Sequence, residues 1–413
     1  MKFVGESSLR STLPGAYYTS PVVLGIETER IFGRSWMCIG RLDAVRRPGQ
    51  VFTSEVAGES VLVVRDRSGE LHGFINVCRH RGTRLCTTPC DDAGATIRCP
   101  YHGWTYGLDG KLLAAPNLRE MPDLQKEQFG LHEVAVTTWA GYLWACLDAG
   151  AGPLSSQIEP QIRQRLGSTD VLDAYGLENL AVARTIVYDV AANWKALVEN
   201  FTECYHCPSI HPELTAAVPE FASGYGSISA GQWHGAALGE QTEGFSSSGR
   251  AVRATLPGLN GGSERLFYGV ILWPNVFLIL VPDHVAAFRL DPLSCDRTRV
   301  TCDWLFEAGA VTDPSFDPTD AVEILDITNR QDFSACERCQ LGMTSRSFVN
   351  GGVLVPSEHL ITDFYRYLAA GLGVAGDEDW PSVPELLSGA RSGGPPPRGV
   401  GAAVEDGLRS ARL

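Results

Sequence analysis

The sequence predicts an α+β protein in two parts, a small all-β domain followed by a larger domain that mixes sheet and helix. Three observations predict it. From residue 36 to 150, short β-rich runs such as "VFTSEV", "SVLVVRD", "LHGFINV" and "GYLWACLD" are broken by Gly, Pro and Asp. The stretch "AGAGPLSS" (148–155) has the composition of a linker. Beyond it, helical and strand patterns mix as far as residue 387. The expected organisation is an N-terminal arm (1–35), the β domain (36–150), a second domain (156–387) and a tail (388–413) that opens Gly-, Pro- and Arg-rich and is expected to be loosely ordered.

Within the arm, "PVVLGIETERIFGRSW" predicts a helix around 21–34. At 413 residues the chain is long enough for two cores, and 44% apolar with 20% charged residues is an ordinary globular balance. A net charge of -14 argues against nucleic acid or an anionic membrane as partner, since both are bound through basic surface. The longest apolar stretch, "YGVILWPNVFLILVP" (268–282), is too short to span a bilayer and reads as two buried strands around a turn at Pro274 and Asn275. "MKFVGESSLRSTLPG" has no apolar run of signal-peptide length, so the expected compartment is the cytoplasm. Reducing conditions there disfavour disulfides among the twelve cysteines. Cys38, Cys146, Cys295 and Cys302 read as small buried hydrophobes. No phosphate loop and no GxGxxG appears, so no nicotinamide or flavin site is visible.

Two constellations carry chemistry. The first is "NVCRHRGTRLC" followed by "CPYHGWTYGLDG", which places Cys78 and His80 in one loop and Cys99 and His102 in another. Zinc is the rival metal, but zinc fingers group Cys with Cys and His with His. Two loops that each offer one thiolate and one imidazole suit a [2Fe–2S] cluster with Cys on one iron and His on the other.

On these motifs the region resembles a Rieske domain. Neutral imidazoles carry less charge than thiolates, which raises the reduction potential and suits a cluster fed by a reductase. Respiratory Rieske proteins carry one further Cys in each loop; here Thr83 and Tyr101 stand there, which points to the oxygenase branch. Cys86 and Cys90 match no ligand position and read as structural.

The second constellation is "ENFTECYHCPSIHPEL" (199–214). On a helical wheel, Trp194, Leu197, Val198, Phe201 and Tyr205 share one face, and Glu199, Glu203 and His206 the other. Pro208 breaks the helix, which frees His211 to swing back towards His206. Two imidazoles and a carboxylate with open positions suit non-haem Fe(II) and O2. By proximity the carboxylate is Glu203. The acidic-x2-His-x4-His pattern resembles that of Rieske oxygenase α subunits, however, and the resemblance implies other roles. Glu203 would bridge to the cluster histidine of a neighbouring subunit, and Asp332, in "ITNRQDFSACERCQLGM", would be the third ligand of the mononuclear iron. Asp326 and Glu337 remain as surface or capping charges on the same stretch.

The resemblance further implies a helix-grip catalytic domain, an antiparallel sheet around a long helix. It implies a head-to-tail homotrimer, and a separate NAD(P)H-dependent reductase or ferredoxin as electron source. With Glu at 203, "ENFTECYHCPSIHPEL", "TLPGAYYTS" and "NVCRHRGTRLC" resemble the subset acting on quaternary ammonium compounds. That subset implies hydroxylation of an N-methyl carbon and collapse to formaldehyde and the demethylated amine. An aromatic cage would hold the cation. Its candidates are Tyr225, Trp233, Phe267, Tyr268, Trp273 and Phe277, each of which also reads as an ordinary core aromatic. Two alternatives stay open: ring hydroxylation, dihydroxylation or O-demethylation of an aromatic acid, and a non-catalytic electron carrier, against which His206, His211 and Asp332 speak.

Overall fold

A computed structural model describes residues 9–88, 93–117, 123, 125–224, 236–238, 242–261 and 263–390. The chain forms two compact units, Phe32–Gln157 and a larger one that joins Met1–Ile31 to Ile158–Leu413.

The smaller unit is built on a six-stranded antiparallel sheet in the order Met37–Arg41, Tyr142–Cys146, Glu133–Trp139, Leu71–Ile75, Glu59–Arg65, Val51–Val56. A second sheet runs Thr96–Arg98, Thr105–Gly107, Leu112–Ala114. Leu62, Val64 and Phe74 of the first pack with Ile97, Tyr106 and Leu112 of the second in one buried cluster. That cluster also holds Cys78 and Cys99, so the sulfurs belong to the core of the unit.

In the larger unit, six antiparallel strands lie in the order Leu180–Val190, Arg297–Glu307, His284–Ser294, Val276–Val281, Leu266–Leu272, Ala236–Ala237. The apolar stretch at 268–282 supplies two of them around a turn at Trp273–Asn275, as its patterning predicts. A 25-residue helix, Thr319–Met343, is tied to the first strand and the turn after it. The Tyr188 hydroxyl donates to Asp326 (2.7 Å), and the Ala191 N–H to Glu337 (3.0 Å). Both acids are therefore engaged in holding the helix.

Helix Pro21–Arg30 starts on Ser20, whose hydroxyl accepts from the Val22 N–H, with Pro21 at the first helical position. It ends four residues short of the sequence expectation, and a 3-10 turn, Phe32–Arg34, follows. Glu27 in this helix is fully buried, paired with the equally buried Lys195 (2.6 Å) and accepting from Trp194 Nε1 (2.9 Å). Through them it positions helix Trp194–Thr202, which Asn193 caps by accepting from the Lys195 N–H. Near the C-terminus, helix Val383–Ala390 runs past Ser388, where the tail was expected to begin, and the rest lies outside the described residues. Among the described residues no helix is long and apolar enough to cross a membrane.

Candidate metal centres and substrate cavity

Two loops carry Cys78/His80 and Cys99/His102, and they are built alike. In the first, the Cys78 N–H donates to the Thr83 carbonyl (2.8 Å) and the Gly82 N–H to the Cys78 carbonyl (3.1 Å). In the second, Cys99 N–H donates to Trp104 (2.7 Å) and Gly103 N–H to Cys99 (3.1 Å). Gly82 (φ 74) and Gly103 (φ 71) close the two loops in the left-handed region that other side chains resist.

The donors divide by depth. Both sulfurs are buried, His102 is half-buried and His80 is exposed, with the two imidazole rings 4.6 Å apart. His80 stacks on Trp104 at 5.1 Å. Tyr106 donates its hydroxyl to Cys78 Sγ (3.3 Å) and accepts from the Arg79 N–H (3.1 Å).

Burial, then the charges of His80 and Arg81, lower the His102 pKa, which leaves this imidazole neutral at pH 7. Its Nδ1 is buried and has no hydrogen-bond partner among the described residues. Burial works against the Cys99 thiolate but is outweighed by the Tyr101 and His102 N–H groups, and its pKa falls. Two inner thiols, two outer imidazoles and an orphaned ring nitrogen fit a cluster with Cys on one iron and His on the other. Cys86 is half-buried beside Asn76, and Cys90 lies outside the described residues.

In the larger unit, the structure brings His206, His211 and Asp332 together although the last two are 121 positions apart along the chain. Asp332 Oδ1 lies 3.2 Å from His206 Nε2 and 2.9 Å from His211 Nε2. The other ring nitrogens are held from behind. His206 Nδ1 meets Glu203 at 2.5 Å and His211 Nδ1 meets the Gln331 side-chain oxygen at 2.8 Å. Asn200 donates to the same Asp332 oxygen (3.2 Å). Burial disfavours a charged His206, but its bonds to Asp332 and Glu203 prevail and push its pKa up to about 10. Asp332 is lowered, the two imidazoles outweighing its burial. Two Nε2 atoms aimed at one carboxylate oxygen, each ring fixed through its far nitrogen, fit a two-His, one-carboxylate iron. Gln331 and Asn200 were not singled out from sequence. Each neighbours a residue of the motif, but nothing in its type marks it.

Three expectations are corrected here. The helix stops at Thr202, and Glu203 is extended (φ -123, ψ 168). The Glu203 carboxylate takes the N–H groups of Tyr205 and His206, side-chain bonds that compete with continuing the helix. Tyr205 therefore leaves the apolar face and is 57% exposed. The third correction is a disulfide. Cys204 and Cys207 pair, because the turn brings their Cα atoms to 5.0 Å, within bonding reach. Cys207 Sγ also lies near His206 and His211, but its sulfur is already bonded to Cys204.

A cavity of about 180 Å³ opens on this group, with Glu203, His206, His211 and Asp332 in its wall. Phe267, Tyr268 and Trp273 line it too, as do Phe201, Phe221 and Phe245, which sequence reasoning missed. The rings of Phe221, Phe245 and Phe267 lie 5.2–6.2 Å from one another. Phe277 is not in the wall; Phe201 stacks over it at 4.4 Å. Tyr225 and Trp233 lie outside the described residues.

Residues 35–129 match the Rieske [2Fe-2S] domain, and residues 177–373 the ring hydroxylating alpha subunit (catalytic domain). The chain is 30% identical over 407 residues to the glycine betaine monooxygenase oxygenase subunit of Chromohalobacter salexigens, covering 90% of this chain and 88% of that one. It is 28% identical over 372 residues to the carnitine monooxygenase oxygenase subunit of Escherichia coli, covering 87% and 93%. Among solved structures it resembles the quaternary ammonium Rieske monooxygenase CntA in complex with L-carnitine, with a TM-score of 0.66, 25% identity and coverage of 88% and 96%. The chain belongs to the Rieske-type non-haem iron oxygenases, as a catalytic α subunit that carries a [2Fe–2S] cluster and a mononuclear iron.

Proposed function

We propose that this oxygenase hydroxylates an N-methyl carbon of a small quaternary amine. The resulting carbinol would then collapse to formaldehyde and the demethylated amine. The observation that carries this reading is the cavity itself, which joins the His206, His211 and Asp332 cluster to a wall of aromatic rings. Ring faces attract a cation that has no N–H to donate, whereas a trimethylammonium group in a purely aliphatic pocket would lose its hydration for nothing. The likeness to betaine and carnitine monooxygenases supports the same substrate class.

In this reading Cys78, His80, Cys99 and His102 hold the cluster, and His206, His211 and Asp332 hold the mononuclear iron, which when bound supplies O2 activation. Glu203 and Gln331 fix the two imidazoles by their Nδ1 atoms, and Asn200 fixes Asp332. Phe221, Phe245 and Phe267 hold the cation and keep the cavity dry. Electrons come from a separate NAD(P)H-dependent reductase or ferredoxin to the cluster. They then pass within a head-to-tail homotrimer from His102 of one copy through Glu203 of the next. Glu203 suits that place because its carboxylate already accepts from His206 and has lone pairs for a second imidazole.

The test is oxygen uptake and formaldehyde release by the full-length enzyme with a surrogate NADH reductase. One formaldehyde per oxygen consumed with glycine betaine, proline betaine or carnitine is the expected result. Oxygen consumption only with aromatic acids would overturn the substrate assignment.

A further inference from the structure

Cys204 and Cys207 are the two cysteines among the described residues of the cavity wall, and the proposed reaction uses neither. They bracket Tyr205 and His206, and their disulfide closes the turn that carries the first of the two histidines. Backbone bonds hold the same turn. The Cys207 N–H donates to the Cys204 carbonyl (3.1 Å), and the His211 N–H to the Cys207 carbonyl (3.1 Å). Cys207 therefore keeps its place whether its sulfur is bonded or free. Its Sγ lies 3.8 Å from His206 Nε2, and the donor atoms of His206, Cys207 and His211 all fall within 4.8 Å of one another. A tetrahedral zinc, with bonds of about 2.3 Å to sulfur and about 2.0 Å to nitrogen, sets two such donors about 3.5 Å apart. Asp332 Oδ1, at 3.2 and 2.9 Å from the two Nε2 atoms, completes a set of four donors.

Two imidazoles and a carboxylate leave positions open and suit Fe(II), whereas an added thiolate fills one of them and favours zinc. A sulfur bonded to another sulfur has no such charge to offer. Resting on the reading that His206, His211 and Asp332 hold a metal, we propose that the Cys204–Cys207 pair is a redox switch of that centre. Closed, it leaves a three-donor iron site. Opened, it makes Cys207 the fourth ligand of a zinc site, and zinc has no redox chemistry with which to activate O2. A small dithiol opens the pair by exchange: the S–S bond breaks, two electrons and two protons pass to Cys204 and Cys207, and the dithiol closes on its own disulfide. Zinc then replaces the thiol proton of Cys207, which leaves to solvent.

The experiment uses the full-length protein with its cluster retained and its mononuclear metal removed. One portion is oxidised with diamide, and the other is reduced with dithiothreitol and freed of it under nitrogen. Thiol alkylation, read by mass spectrometry, should mark neither Cys204 nor Cys207 in the first and both in the second. Zinc affinity against a competing chelator is expected to rise at least about 100-fold on reduction, since even an outer partner of a ligand is worth up to about 100-fold. Cobalt(II) in place of zinc should show a thiolate charge-transfer band in the reduced protein only. Cys207→Ser should remove both gains, and Cys204→Ser should show them without reductant. Equal zinc affinity in the two states, a cobalt band that survives Cys207→Ser, or alkylation of both cysteines after diamide overturns the proposal. Should the variants fail to fold, the wild-type comparison decides. Cobalt bound in both states with no thiolate band sinks the switch and leaves the three-residue site standing. No cobalt bound in either state removes that site as well.

Discussion

The two metal centres of this chain are built in opposite ways. The cluster loops are local, each closing on itself through backbone hydrogen bonds and a glycine with positive φ, with the sulfurs sunk in a β core. The mononuclear centre is assembled from two helical regions, and its geometry is kept by side chains: Glu203 behind His206, Gln331 behind His211 and Asn200 behind Asp332. Their protonation differs in the same sense. His102 is pushed towards neutrality, whereas His206, facing two carboxylates, holds its proton up to about 10. The difference teaches that backbone alone can fix donors that are close in sequence, whereas donors drawn from distant parts of the chain are fixed by side chains.

Substitution separates the two designs, and the largest effect falls on Glu203. Glu203→Gln keeps an oxygen for His206 Nδ1, so both metals should stay bound. It has no carboxylate to accept from a second imidazole, and turnover should fall more than about 100-fold. Rapid single-turnover oxidation of the cluster in this variant would remove Glu203 from the electron path.

The protonation contrast gives a smaller, graded effect. Before metal enters, His206 is charged at neutral pH, and its proton must leave for iron to bind. Iron uptake by the metal-depleted mononuclear site should therefore release a proton. Its affinity should rise about tenfold per pH unit while the pH stays below about 10. A pH-stat titration checks this, and affinity flat from pH 7 to 9 would contradict it.

The smallest effect belongs to the cluster. Tyr106→Phe removes the hydroxyl that donates to Cys78 Sγ, and should lower the cluster potential by some tens of millivolts without loss of iron. An unchanged potential in a redox titration would show that this bond does not tune the cluster.

The same contrast explains what could be read in advance. Cys78, His80, Cys99 and His102 were legible because each loop writes both candidate ligands within four residues. His206 and His211 were legible for a similar reason, since they lie five positions apart. Asp332 was not legible from spacing, since nothing local to it signals a partner 121 positions back, and only family resemblance singled it out. The end of the helix before Glu203 was hidden because the apolar periodicity runs on to Tyr205, while the break comes from the Glu203 carboxylate. Phe221 sits in a short 3-10 helix, Pro219–Ser223, and Phe245 in an irregular segment, and neither has a period to betray it. Phe277 belongs to the expected strand, but Phe201 covers it, a contact that no strand pattern encodes.

Iron content and turnover of Asp332→Ala test the central claim most directly. The account predicts three irons per chain in the wild type, two in the cluster and one outside it. In the variant it predicts only the cluster irons, with an unchanged visible spectrum and no product. A variant that kept its third iron and still turned over would contradict it, because the two histidines would then hold the metal without Asp332.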